Sequence, residues 1–397
     1  MGIGGIGGGS TKRRVEIPSY RIQSPPLLQL PPLPPPQFSI TVYRAVVLAA
    51  SIGLMYIVLG QSQYSPLQSP ISTETPGSES ESSLFHILKS EDKKEEKELD
   101  LILKKASMKD RKTVIITTVN AAWMEPSSIF DLFLESLKIG NETQKYLENL
   151  VVVALDPEAY RRCVSLHPYC YSLTTEGVDF SGETKFMSGD YLKMMWRRID
   201  FLRSILEMGY SFIFSDADVA WMRDPFSRLY GGGDIQFSTD LYLFNSSRSR
   251  HNLPNAGFFY VKSNPRTVQF YKRWYSKRLD SPGVNEQDVL RKMMFDSFVN
   301  ETGVDIRFLD TAYFGGWCEA DQDLDVVVTM HVNCCSKLKS KIHDMQMFME
   351  DWKNYKKGGG ETDNKWTLPR KCVLNKAKLE RIKALVRRAH SIPFNHH

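Results

Sequence analysis

Two aspartates one residue apart, Asp216 and Asp218, close the apolar part of the run Phe-Ile-Phe-Ser-Asp-Ala-Asp-Val-Ala-Trp-Met-Arg-Asp-Pro-Phe at 212–226. In a strand, residues i and i+2 face the same side, so a strand ending here presents both carboxylates together, with the small Ala217 between them. Two converging acids suit a hard divalent cation, Mg2+ or Mn2+, which completes its shell with waters and substrate phosphates. Asp-Ala-Asp alone also reads as a turn or a helix N-cap. The buried-strand pattern before it, and Trp221 to Pro225 after it, favour the metal reading, and the implied ligand is a metal-bound diphosphate.

Other polar residues stand at element ends. His331 lies in the run Val326 to Val332; at the end of a buried strand it is ordinarily a hydrogen-bonded core residue, but beside the acid pair a neutral imidazole suits Mn2+ as a third ligand. Asp234 to Asp240 reads as a strand ending in a carboxylate, and Asn285-Glu286-Gln287-Asp288 opens a helix in which Asp288 is otherwise a first-turn acid. Gly257, in a loop that feeds a strand ending at Val261, suits a close backbone approach to a ligand. Lys193 and Arg197, four apart, share a helix face on which they reach phosphate oxygens or simply meet water.

The elements that must position these groups follow from periodicity. Thr113 to Val119 and Leu150 to Leu155 are continuous β-branched or apolar runs, hence buried strands, with an amphipathic helix at Ser128 to Leu137 between them. From 190 to 208, Leu192, Met195, Trp196, Ile199, Leu202, Ile205 and Leu206 recur at spacings of 3 and 4, and Gly209 stops the helix just before the acid-bearing run. Helices at Arg266 to Lys277 and Glu286 to Met294 and a strand at Asp305 to Leu309 complete an α/β pattern with a mostly parallel sheet, whose strand ends are where ligands bind.

The chain of 397 residues carries a net charge of +5, with acids and bases mixed and no basic stripe interleaved with aromatics, which argues against nucleic-acid binding. Residues 1–37 hold a Gly run, the basic Lys12-Arg13-Arg14 and the Pro-rich Pro25 to Pro36, the composition of a disordered tail. Ala45 to Leu59 carries no charge, and residues 38–60 reach the roughly 20 residues needed to span a bilayer once Arg44 snorkels to the interface. The basic excess before this span predicts a single-pass type II orientation, N-terminus cytosolic and body lumenal. A cleaved signal peptide is disfavoured because the apolar stretch lies too far from the N-terminus and no small-x-small site closes it. Residues 61–112 read as a stem, Ser- and Pro-rich at first and then, from Glu91, a Lys/Glu-rich solvated helix. The expected body is 113–355, followed by a C-terminal extension, 356–397, with a surface helix around Leu379 to Val386.

Six cysteines and acceptor sequons at Asn141, Asn245 and Asn300 suit an oxidising lumen. The cysteines can form up to three disulfides, whose pairing the sequence leaves open. Cys334-Cys335 finds no C-x-x-C partner for structural zinc.

The motifs also stand in an order: Asn120-Ala-Ala-Trp123, Asp131-Leu-Phe-Leu134, Val151 to Asp156, Met194-Met-Trp-Arg-Arg198, the acid pair, Asn255-Ala-Gly-Phe258, Gln287-Asp288-Val289, Phe308-Leu-Asp-Thr311, Phe314-Gly-Gly316 and His331-Val-Asn-Cys-Cys335. Together, across about 113–355, they resemble the plant nucleotide-diphospho-sugar transferase family that includes rhamnogalacturonan-II xylosyltransferases and extensin arabinosyltransferases. The resemblance implies a GT-A fold, retaining transfer from a nucleotide sugar to a cell-wall polysaccharide or glycoprotein acceptor, Mn2+ or Mg2+, and a Golgi membrane address.

 Carried over residue by residue, it implies that Asp216 contacts the ribose or the metal, that Asp218 and His331 are metal ligands, and that Lys193, Arg197, Asn120 and Gly257 bind the donor. Gln287, Asp288 and Asp240 then fall to the reacting face of the sugar, as nucleophile or as stabilisers of an oxocarbenium-like state. Asn255-Ala256-Gly257 departs from the usual Asn-Gly-Gly form on the acceptor side. Two rival readings are a catalytically inactive lumenal subunit that binds a related transferase, which the intact acids argue against, and metal-dependent nucleotidyl transfer, which does not normally need a lumenal, sequon-bearing body.

Overall fold

A computed structural model describes residues 94–175, 177–319, 323–358 and 364–372. The expected tail, membrane span and first part of the stem lie outside these residues, as does the helix expected around Leu379. Among the described residues no helix is long and apolar enough to cross a membrane.

Ten strands in these residues form two sheets: β1 (Thr113–Val119), β2 (Leu150–Ala154), β3 (Cys170–Ser172), β4 (Ser211–Ser215), β5 (Val219–Trp221), β6 (Ile235–Leu241), β7 (Leu253–Val261), β8 (Ile306–Phe308), β9 (Phe314–Gly316) and β10 (Thr329–His331). The larger sheet runs β3-β2-β1-β4-β7-β6-β8 and the smaller β5-β10-β9. Its β1, β2, β3 and β4 are mutually parallel, as is β8 to β6, whereas β7 runs against both β4 and β6. The result is a mixed α/β fold with a central sheet and flanking helices. The reversal of β7 matters for the site, because it brings Gly257 and Phe258, in the middle of that strand, to the end of β4.

Helix Gly189–Glu207 shows how the sequence builds this frame. Ser188 caps it by accepting the Tyr191 N–H, and Gly209 (φ 80°) lets the chain turn out of it. Its stripe of Trp196, Ile199, Leu202, Ile205 and Leu206 is buried in the main core with Phe212, Phe214 and Phe259 of the sheet. Each such side chain contributes about 1.5–3 kcal/mol relative to exposure.

Four sequence expectations change. Residues 94–106 are helical, as the Lys/Glu pattern predicts, but the helix is not merely solvated: Leu99, Leu103 and Ala106 are buried in the main core. Val326 to Val332 is a strand only over Thr329–His331, and Asn252 onward is already strand from Leu253 rather than loop. A long helix, Leu338–Gly358, follows the adjacent cysteines and crosses the expected boundary at 355; it buries Met345, Phe348, Met349 and Trp352. Beyond it, Trp366 and Cys372 return to the same cluster.

All six cysteines are paired, as Cys163–Cys170, Cys318–Cys334 and Cys335–Cys372. The two adjacent cysteines therefore tie the chain just after β10 in two directions, back toward β9 and forward to the end of the described body.

Candidate active site

The acids do not sit on a strand. β4 ends at Ser215, and Asp216-Ala217-Asp218 is the turn that leads into β5, closed by Val219 N–H donating to the Asp216 carbonyl at 3.1 Å. Their convergence comes from this turn joining two sheets, so the turn reading and the acid-pair reading are both true. β7 pairs antiparallel with β4, which places the Gly257 carbonyl 2.7 Å from the Asp216 N–H. β10 pairs antiparallel with β5 in the register His331 to Val219, and Val332 N–H donates to the Asp218 carbonyl at 2.9 Å. That register brings His331 to the acids across 113 positions of sequence, the difference between 331 and 218. Gly257 makes the approach possible: a Cβ there would stand 2.8 Å from His331 Nδ1 and 2.9 Å from Asp216 Oδ2.

Asp216, Asp218 and His331 each offer one ligand atom within 4.8 Å of the others. Asp218 is 1% exposed; its Oδ1 lies 3.1 Å from His331 Nε2 yet makes no well-aligned hydrogen bond, and its Oδ2 is ion-paired with the Lys341 ammonium. A buried carboxylate oxygen without a hydrogen bond, facing an imidazole nitrogen and a second acid, fits a divalent cation. Asp216 Oδ1 accepts from Arg198 at 2.8 Å, and the same guanidinium, 4% exposed, meets Glu286 Oε1 at 2.8 Å. Burial raises the Asp216 carboxyl to about 6 against the pull of Arg198, and the charge of Asp218 adds to the rise. Burial also opposes the charge on Asp218, but Lys341 and His331 outweigh it and hold this carboxyl well below its ordinary range.

A second polar cluster adjoins the first through Asn255. Its Oδ1 lies 3.1 Å from His331 Nδ1 and accepts the Gly257 N–H at 2.8 Å, while its Nδ2 donates to Asp240 Oδ1 at 2.8 Å. Asp240 also accepts from Asn333 at 3.0 Å, Gln287 at 3.2 Å and Arg291 at 2.7 Å. With four donors on its two oxygens, Asp240 is held as a scaffold rather than presented as a nucleophile. Gln287 bridges it to the Ala256 N–H, which its Oε1 accepts at 2.9 Å. Asp288 stands at the edge, 46% exposed and 3.1 Å from Arg291.

Other expected residues lie apart from the acid pair. Lys193 meets Asp190 at 3.3 Å and Arg197 meets Asp200 at 3.6 Å, each on its own helix, and the cation that reaches Asp216 is Arg198 instead. Asn120 caps the short helix Ala121–Met124 and donates to the Phe180 and Gly182 carbonyls, so it fastens the chain before helix Gly189–Glu207. Asn141, Asn245 and Asn300 are all exposed.

Sequence reasoning gave no site role to Arg198, Glu286, Asn333 and Lys341, and placed Asn255 only within a motif on the acceptor side. For Arg198 a signal was present: it lies three residues after Met195 and four before Leu202, on the apolar stripe, and a charge there demands a buried acid. Glu286 was that acid, visible only as part of a polar helix start. Lys341 gave none, because the helix that carries it was itself unread.

The profile described as nucleotide-diphospho-sugar transferase matches residues 145–345. An uncharacterized Arabidopsis thaliana protein is 46% identical over 281 residues, 70% of this chain and 74% of that one. An A. thaliana UDP-D-xylose:L-fucose alpha-1,3-D-xylosyltransferase is 29% identical over 154 residues, 38% of each chain. Among solved structures, mouse xyloside xylosyltransferase 1 in its apo form superposes with a TM-score of 0.35 at 12% identity, covering 57% of this chain and 99% of that one.

Proposed function

Because this chain belongs to the nucleotide-diphospho-sugar transferase family, we propose that it is a metal-dependent, retaining glycosyltransferase of GT-A type. It moves a UDP-linked pentose or hexose to a cell-wall polysaccharide or glycoprotein acceptor. The observation that carries this reading is the meeting of Asp216, Asp218 and His331 within 4.8 Å at the end of β4. When bound there, Mn2+ or Mg2+ supplies charge neutralisation to the diphosphate leaving group. The protein's own groups do the rest of the positioning. Arg198 and Glu286 hold Asp216 from behind, Asn255 orients the His331 ring, and Asp240 with the Ala256 N–H fixes the Gln287 amide beside them. The UDP-D-xylose in the relative's name supports a UDP-pentose donor. A Golgi address with one N-terminal membrane span remains this reading's setting, supported by the apolar stretch at 45–59, the three disulfides and the exposed sequons.

The test is a panel of UDP-sugars with the full chain and Mn2+, followed by release of UDP and by the anomeric configuration of the product. Asp218→Asn is expected to lower turnover by about 10²-fold or more while the melting curve keeps its cooperativity. Failure to bind any nucleotide sugar in Mn2+ would overturn the reading, and a fully active Asp218→Asn protein would overturn the metal assignment.

A further inference from the structure

We propose that Lys341 is a built-in counter-ion of Asp218, which makes divalent-cation binding conditional on an anionic diphosphate. Asp218 is 1% exposed, and a carboxylate so buried is costly without a partner. Its partner at Oδ2 is the Lys341 ammonium, itself only 15% exposed, while Oδ1 faces His331 Nε2 at 3.1 Å. A divalent ion seated between Asp216, Asp218 and His331 would bring two further positive charges against that ammonium. Like charges at this distance in a poorly solvated site repel strongly, so the metal and the ammonium compete for one carboxylate.

The two cations that hold the acid pair differ in what they can do next. Arg198 is pinned on both sides, by Asp216 and by Glu286, and its planar fork leaves it no other position. Lys341 has a single acid partner at the end of a flexible four-carbon stem, with the Trp123 ring 5.4 Å away. Displaced by a metal alone, it would become a largely buried ammonium without an anion. A diphosphate bound to that metal supplies the anion, so metal and diphosphate bind together better than either binds singly. By reciprocity, the factor by which the diphosphate tightens the metal is also the factor by which the metal tightens the diphosphate. The identity of the anion rests on the nucleotide-sugar reading; the counter-ion role does not.

The experiment is a titration of the metal-stripped full chain with Mn2+, followed by the electron paramagnetic resonance of the free ion, without and with UDP. Wild type is compared with Lys341→Met and with the charge-keeping Lys341→Arg. Lys341→Met is expected to bind Mn2+ alone about tenfold more tightly than wild type, and the tightening by UDP to shrink by a similar factor. Lys341→Arg is expected to stay close to wild type for Mn2+ alone. Should Lys341→Met not fold, Lys341→Gln carries the same comparison, since its amide still donates to Asp218 without charge. An uncharged variant that binds Mn2+ alone no more tightly than wild type overturns the proposal. If the variant gains metal affinity but UDP leaves Mn2+ binding unchanged in wild type, the counter-ion role stands and its link to a diphosphate is overturned.

Discussion

Arg198 carries the largest electrostatic debt at the residue scale, since one guanidinium serves Asp216 and a Glu286 side chain that is 3% exposed. Arg198→Met strips both acids of their partner. Breaking a buried pair from one side costs about 3–5 kcal/mol, so urea unfolding should show a loss of that order. A loss within experimental error of zero would mean that the acids find other partners. Asp216 adds a pH dependence. Its carboxyl is raised from 3.8 to about 6, so the folded protein holds this proton more tightly than the unfolded chain does. The stability from that proton is present below about pH 4 and is lost as pH rises toward 6. Above that range the metal-free protein carries a deprotonated Asp216, and a divalent cation relieves it. The melting-temperature gap between Mn2+-loaded and chelator-treated protein should therefore be small near pH 5 and widen through pH 7. An equal gap at both pH values would contradict this assignment.

At the scale of elements, the site depends on strand ends held from outside the strands. β10 is three residues long, and the chain after it is tied by Cys318–Cys334 and Cys335–Cys372. The second bridge spans 37 residues of sequence and secures helix Leu338–Gly358, whose buried Asp344 accepts the backbone N–H groups of Arg370, Lys371 and Cys372. Replacing both Cys335 and Cys372 by Ser should cost about 2–4 kcal/mol by the chain-entropy account, read from denaturant unfolding and from a change in the emission of the buried Trp366. Unchanged stability and emission would show that Asp344 and the apolar contacts hold the segment alone. The long strands and helix Gly189–Glu207 were legible because apolar runs and a 3.6-residue period report burial directly. β5 and β9 were not resolved as separate strands, because three residues are too few to show a period, and β10 was read within a longer run, Val326 to Val332. Helix Leu338–Gly358 escaped for another reason: its Lys-rich face hides a narrow buried stripe.

For the whole molecule, the exposed sequon residues Asn141, Asn245 and Asn300 allow a lumenal body to carry glycans without repacking. The full chain made in plant cells should lose apparent mass on treatment with an endoglycosidase. No shift, with the chain recovered in the cytosol, would overturn the lumenal placement. By itself the sequence determined that an apolar run delivers two acids, that strands and helices alternate, and that a family order of motifs runs across the body, since burial, periodicity and spacing are local properties. It also placed His331 among the candidates, but only as a conditional ligand. Tertiary structure decided the rest. The antiparallel register of β10 on β5 carries His331 to Asp218, reversed β7 sets Gly257 where no Cβ fits, and helix packing chooses Arg198 over its neighbours Lys193 and Arg197. Each of these depends on which residues meet across the chain, and side-chain chemistry read one position at a time carries no record of its partner.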